Sequence, residues 1–238
     1  RALPPPVLTV APTVSIIIPT ARRTDLLRKS LRGLCIIDYP ALQVVIVDNG
    51  ADSTELDSAI QEEAAGLDLT VIRDHSSFNF SRLCNVGVKA SSGSVILLLN
   101  DDVEAINADW LTRVVDSVLE EGVGAVGAQL LYPDHSLQHA GLMIGLGGIA
   151  GHFWKGLSTH LTAFNPHIVY PGGRLAVTGA CLAVKREIYE SVAGLDEVEF
   201  PIGFSDADFC LRLVETGKRN VYRGDAVLIH HESQSRGR

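Results

Sequence analysis

The sequence predicts an α/β domain: a mostly parallel central sheet with helices on both faces. Three observations predict it. Short apolar runs recur at residues 14–18, 43–47 and 95–99, and a strand that is apolar on both sides is one buried between two layers. Helical segments separate these runs, so strand and helix alternate, which implies right-handed crossovers. Polar residues then gather where the runs end: Thr20, Asp48 with Asn49, and Asn100-Asp101-Asp102. In such sheets ligands sit beyond the carboxyl ends of the strands.

Taken in order, residues 1–12 are proline-rich and aperiodic and read as a linker, leaving 13–238 as one domain. Residues 14–18 form the first strand, closed by Pro19, and 24–34 a helix capped by Thr24 or Asp25. Residues 43–47 give a second strand, 53–65 a polar helix and 68–72 a third strand. Residues 80–90 read as a helix and 95–99 as a fourth strand. The alternation fills the half up to about residue 103, and the half from about 104 differs in character. In that second half residues 135–186 contain no Asp or Glu, yet hold His135, His139, His152, His160 and His167. Such a stretch either faces an anionic ligand or is a solvated loop region. A helix at 206–216 and a strand at 226–229 close the chain, leading to His230-His231.

Composition narrows the function classes. Of 238 residues 46% are hydrophobic, enough for a sizeable core, and the net charge of −8 argues against nucleic-acid binding. Cys35, Cys84, Cys181 and Cys210 form no CxxC pair, so they read as buried thiols of a reducing cytoplasm. No apolar run approaches the roughly 20 residues that span a bilayer, which leaves at most peripheral membrane association. The sequence has no initiator Met and reads as a domain of a longer protein.

Three clusters have chemical potential. In Asn100-Asp101-Asp102, adjacent carboxylates at a strand end repel one another unless a divalent cation is present. Mg²⁺ or Mn²⁺ takes hard oxygen ligands and is commonly held by one or two carboxylates plus substrate phosphates; a turn or helix cap would also use these residues. Asp206 and Asp208 open a helix, where carboxylates suit the dipole, but either could accept a proton from an attacking hydroxyl. His230-His231, followed by Ser235 and Arg236, offers a metal ligand and phosphate contacts. Two patterns are decoys. Residues 145–150, GLGGIA, have dinucleotide-fingerprint spacing but no acid about 20 residues on. His135 and His139 have the i, i+4 spacing of a zinc pair without its glutamate, and read as loop residues.

Together these segments resemble the family 2 inverting glycosyltransferases of GT-A fold, and among them the bacterial enzymes of O-antigen and other surface polysaccharides, including rhamnosyltransferases. The resemblance rests on VSIIIPT (14–20), VVIVDNG (44–50), NVGVKASSG (85–93), LLLNDDV (97–103), TGACLAVKRE (178–187), GLDE (194–197), FSDADFCLRL (204–213) and HHESQSRG (230–237), in that order over nearly the whole chain. It implies a nucleotide pocket of Thr20, Asp48, Asn49, Asn85 and Asp101, and a Mn²⁺ or Mg²⁺ held by Asp102 with His230 or His231. It implies Asp206 as the catalytic base, and Thr178, Gly179 and Asp208 on the acceptor side. The donor would be a nucleotide-diphosphate sugar and the acceptor a saccharide or lipid-linked saccharide. Asn100 stands where the DxD motif has its first Asp, and Ser205 where Glu usually precedes the base. Two alternatives follow from the residues: a non-catalytic nucleotide-sugar or glycan-binding domain, and a sugar-phosphate nucleotidyltransferase, whose glycine-rich loop is missing after the first strand.

Overall fold

The computed structural model describes residues 6–21, 24–50, 54–162 and 164–232. The first half alternates as expected. β1 (Val14–Thr20), α1 (Thr24–Cys35), β2 (Leu42–Asp48), α2 (Thr54–Glu63), β3 (Leu69–Arg73), α3 (Phe80–Ala90) and β4 (Val95–Leu99) follow one another. Then come β5 (Val103–Ala105), α4 (Trp110–Leu119), β6 (Val123–Leu131), β7 (Leu137–His139), β8 (Leu142–Ile144) and β9 (Ala150–His152). Two short helices, α5 (Thr159–Thr162) and α6 (Pro166–Val169), precede β10 (Gly172–Arg174), β11 (Cys181–Lys185), α7 (Arg186–Ser191), α8 (Ser205–Glu215) and β12 (Arg219–His230).

The main sheet runs β10-β12-β6-β11-β4-β1-β2-β3, with β5 on β12 and β7 on β6. From β3 across to β12 only β11 runs against the others, since it pairs antiparallel with both β4 and β6. The sheet is therefore mostly parallel, with helices on both faces, as the sequence predicts. β1 lies at its centre with all seven residues buried, because helices cover both sides. Alternate residues feed different layers. Val14, Ile16 and Ile18 pack with Leu27 and Leu31 of α1 and Val114 of α4. Ile17 packs with Leu83 of α3 and with Phe209 and Cys210 of α8.

Local chemistry explains how α3 begins and how it packs on the sheet. Asn79 caps α3, its side chain accepting from the Arg82 N–H at 2.9 Å. Gly87 lets that helix lie against β1 and β2: a Cβ there would stand 2.3 Å from Ile17 Cγ2 and 3.0 Å from Val47 Cγ2. Hence the glycine of NVGVKASSG serves packing.

One strand goes unannounced in the sequence, and three further features differ from the sequence expectation. The nine residues of β6 are all buried, although Gly124 and Gly127 make them poor strand formers; the pairing with β12 and β11 supplies what propensity lacks. The acid-free stretch is folded into β7–β10, and His139 lies in β7 with no exposed surface instead of in a loop. Cys35 is exposed, while Cys84, Cys181 and Cys210 are buried, and all four are free thiols. The end of the supposed linker is docked: Leu8 and Ala11 pack on the core, and Tyr39 Oη donates to the Pro12 carbonyl at 2.7 Å. Among the described residues no helix is long and apolar enough to cross a membrane.

Candidate active site

A cleft of about 820 Å³ opens at the carboxyl ends of β1, β2 and β4. One wall carries Thr20, Asn49, Asn100, Asp101 and Asp102; a second wall, which meets the first where His230 touches Asp102, carries Gln138, His152, Thr178, Gly179, Asp206 and His230.

On the first wall Thr20 Oγ1 donates to Asp101 Oδ2 at 2.6 Å, joining the ends of β1 and β4. Burial pushes the Asp101 carboxyl up to about 6, against the Thr20 hydrogen bond and with the help of the Asp102 charge. Asn49 Nδ2 donates to the carbonyls of Asp74 (2.7 Å) and Ser76 (2.8 Å), which fixes the amide and leaves Oδ1 as its acceptor. Asp74 is itself held by Arg82, whose guanidinium keeps that carboxyl well below the usual carboxylate range.

The acidic turn and the late histidine meet through strand pairing. β5 runs antiparallel to β12 with His230 opposite Val103, and the His231 N–H donates to the Asp102 carbonyl at 2.9 Å. His230 Nε2 thereby stands 2.9 Å from Asp102 Oδ1. Its other nitrogen is set by a relay. Gln138 Nε2 donates to Glu232 Oε2 at 2.9 Å, so Gln138 Oε1 faces His230 Nδ1 at 2.7 Å and Nδ1 must donate. In a neutral His230 the Nε2 lone pair then points at a carboxylate oxygen, an arrangement that a cation or a proton between them satisfies. Asn100 Oδ1 is buried beside them with no partner among the described residues. A carboxylate, an imidazole nitrogen of fixed tautomer and a spare amide oxygen suit Mn²⁺ or Mg²⁺. Among the described residues no three His, Cys, Asp or Glu side chains cluster as a closed metal cage.

Asp206 sits in the first turn of α8, after Phe204 in the left-handed region at φ 64°. Its Oδ2 accepts the Gly179 N–H and its Oδ1 the Ala207 N–H, both at 2.8 Å. The turn at 178–180 is a hub. Thr178 N–H donates to His139 Nε2 (3.3 Å), Gly179 N–H to Asp206, and the Ala180 carbonyl accepts the Asn100 N–H (3.0 Å). The base candidate, the acidic turn and the buried histidine are thus tied to three successive residues.

Several expected residues lie elsewhere. Asn85 does not line the cleft. Its Nδ2 donates to the Leu195 carbonyl and to Glu197 Oε1, and its Oδ1 accepts from Tyr189 Oη and the Leu195 N–H, so it braces α3 to the GLDE turn. Gly194 in that turn has φ +70°, and a Cβ there would stand 2.6 Å from Asn85 Oδ1. Asp208 is also off the cleft, paired with Arg212, whose guanidinium ties α8 to the carbonyls of Val192 and Gly194. Asp48 lies behind Asn49, its carboxylate occupied by Arg73 and the Gly50 N–H. His231 turns away to Glu104 at 2.9 Å, so His230 is the member of the pair that lines the cleft. Ser235 and Arg236 lie outside the described residues. Gln138, His152 and Glu232 were not singled out as site residues in sequence reasoning; Glu232, directly after the histidine pair, had the only local signal.

Comparison with known proteins shows the family and the fold: the architecture is that of the GT-A glycosyltransferases. The family model described as Glycosyl transferase family 2 matches residues 15–192. The chain is 41% identical over 95% of its length to the uncharacterized protein y4gI of Sinorhizobium fredii, covering 25% of that protein. It is 37% identical over 94% of its length to the O-antigen biosynthesis protein RfbC of Myxococcus xanthus, covering 18%. The chain therefore spans a quarter or less of these relatives. Among solved structures it superposes on the mannosyltransferase PcManGT of Pyrobaculum calidifontis, in complex with GDP-Man and Mn²⁺. There the TM-score is 0.70 at 20% identity, with 98% of this chain and 61% of that one covered.

Proposed function

The chain belongs to glycosyl transferase family 2, and on that premise we propose that it moves a sugar from a nucleoside-diphosphate sugar to an acceptor hydroxyl in one inverting displacement. The acceptor is a saccharide or lipid-linked saccharide, and the product belongs to a surface polysaccharide. The reaction is cytoplasmic, in keeping with free thiols in the core. One observation carries the reading: Asp102, His230 and Asp206, separated by up to 128 residues in sequence, line one cleft.

Thr20, Asn49 and Asp101 bind the nucleoside, Asn49 through its free Oδ1. Asp102 and His230 hold Mn²⁺ or Mg²⁺, which when bound supplies positive charge to a departing diphosphate. Asp206, oriented by Gly179 and Ala207, takes the proton of the acceptor hydroxyl. As that oxygen forms its bond to the anomeric carbon, the bond from this carbon to the phosphate oxygen breaks and the configuration inverts. Thr178 and Gly179 border the acceptor. Orientation of Asp206 and electrostatic stabilisation supply most of the rate.

The test is a thermal-shift screen of UDP-, dTDP- and GDP-sugars with and without Mn²⁺, followed by transfer assays with the stabilising donor. A donor that stabilises only with Mn²⁺ and is turned over bears the reading out. Stabilisation by no nucleotide sugar refutes it.

A further inference from the structure

We infer that His152 reads a saccharide hydroxyl in this cleft, as a neutral imidazole whose Nε2–H donates to the hydroxyl oxygen, and that buried His139 holds it in that tautomer. The inference rests on the glycosyl-transfer reading and deepens it.

The tautomers follow from one backbone group. The Thr178 N–H can only donate, so His139 Nε2, at 3.3 Å, must accept. His139 then carries its proton on Nδ1, because an imidazolium would have no lone pair to offer. Its Nδ1 lies 2.9 Å from Nδ1 of His152, so His139 donates and His152 accepts. A ring that accepts at Nδ1 keeps its proton on Nε2. Desolvation agrees: His139 has no exposed surface, and burial drives it well below the ordinary histidine value. Burial, then the nearby Lys155, lowers His152 as well.

His152 ends β9, which pairs with β8 opposite Leu142, and the Leu142 N–H donates to the Ala176 carbonyl at 2.8 Å. The hairpin is therefore anchored to the segment that joins β10 to β11. His152 lines the cleft with Asp206, Gly179 and Phe204, and its Nε2 meets no protein partner among the described residues. The acid-free segment thus contributes an uncharged donor at a fixed place, facing a cleft rich in carboxylates. An uncharged N–H suits an uncharged oxygen, as sugar hydroxyls provide, whereas a phosphate would favour a cation. The hydroxyl belongs to the donor sugar or to the acceptor, and the two sources separate by experiment.

Isothermal titration of the wild type and His152→Phe would use the stabilising donor among UDP-N-acetylglucosamine, dTDP-rhamnose and GDP-mannose, beside its nucleoside diphosphate, with Mn²⁺. Octyl glycosides serve as acceptors in transfer assays. If the donor sugar is read, His152→Phe binds the nucleoside diphosphate as the wild type does but binds the nucleotide sugar about 10-fold more weakly. If the acceptor is read, both affinities hold and KM for the octyl glycoside rises about 10-fold. In either case His152→Gln, which keeps an N–H donor, recovers part of the loss. Nitrogen-15 histidine spectra of the wild type should show protonated Nε2 on His152 and protonated Nδ1 on His139, a signature that packing alone would not produce. All constants within twofold of wild type in His152→Phe, or a His152 proton on Nδ1, overturns the inference. A wild type that binds no nucleotide sugar defeats the glycosyl-transfer reading itself and this inference with it.

Discussion

The two walls of the cleft are made in different ways. The wall of Thr20, Asn49 and Asn100–Asp102 needs only β1, β2 and β4 to end side by side, and parallel strands joined by helices bring their ends together automatically. The second wall draws Gln138, His152, Gly179, Asp206 and His230 from separate elements. Side-chain hydrogen bonds join residues 27 apart at Gly179 and Asp206 and 92 apart at His230 and Gln138. The first wall is a consequence of topology. The second is a network in which each group is oriented by another from a distant segment, so its residues should be coupled more widely than those of the first wall, where one side-chain hydrogen bond joins Thr20 to Asp101.

The largest effect should come from the second wall. Asp206→Asn keeps the shape and the Gly179 contact to the side chain but removes the base, so turnover should fall about 10²- to 10⁴-fold. Nucleotide affinity, a property of the first wall, should change less than about twofold by titration calorimetry; a parallel loss of both would mean that the walls are not separable. Next is Gln138→Leu, which touches no substrate in the proposed mechanism but frees the tautomer of His230. The Mn²⁺ activation constant should rise about 10- to 100-fold, and an unchanged constant would show that the relay through Glu232 does not orient His230.

Asn85→Ala probes a brace outside both walls. It strands Tyr189 Oη, the Leu195 N–H and a Glu197 carboxylate, so denaturant unfolding should show a loss of about 2–3 kcal/mol with nucleotide affinity unchanged. A fall in nucleotide affinity greater than the stability loss explains would return Asn85 to the binding site. The smallest effect belongs to Asp74, which supports Asn49 from behind. Its carboxyl is held low by Arg82 in the folded protein, so its contribution is present above the unfolded value near ~3.9 and is lost as pH falls. Asp74→Asn should cost about 1 kcal/mol at pH 7, and the gap between the urea midpoints of the two proteins should begin to narrow below about pH 4 and go on narrowing as pH falls further. A gap that persists in acid would point to packing rather than charge.

The legible and illegible parts of the site divide along the same line. Thr20, Asn49 and the Asn100-Asp101-Asp102 turn could be placed because a buried parallel strand leaves a continuous apolar run, and the run's end marks the ligand side. Asp206 and the histidine pair were found by motif, and the sequence left open which histidine faces the cleft. Asn85 and Asp208 look like site residues in sequence, being polar and inside motif segments, yet Asn85 directly and Asp208 through Arg212 hold α3 and α8 to the turn around Gly194. His139 and His152 carried no readable period, since β7 and β9 are three residues each.

By itself the sequence determined the layered α/β architecture, the order of the parallel strands' polar ends and the acidic character of the site, because these depend on apolar periodicity and on residues adjacent in the chain. Only the tertiary structure decided that His230 and not His231 meets Asp102, that Asp206 is oriented from Gly179, and that His139 fixes the proton of His152. Antiparallel register and hydrogen-bond direction set those outcomes, and both arise only when distant segments are packed together.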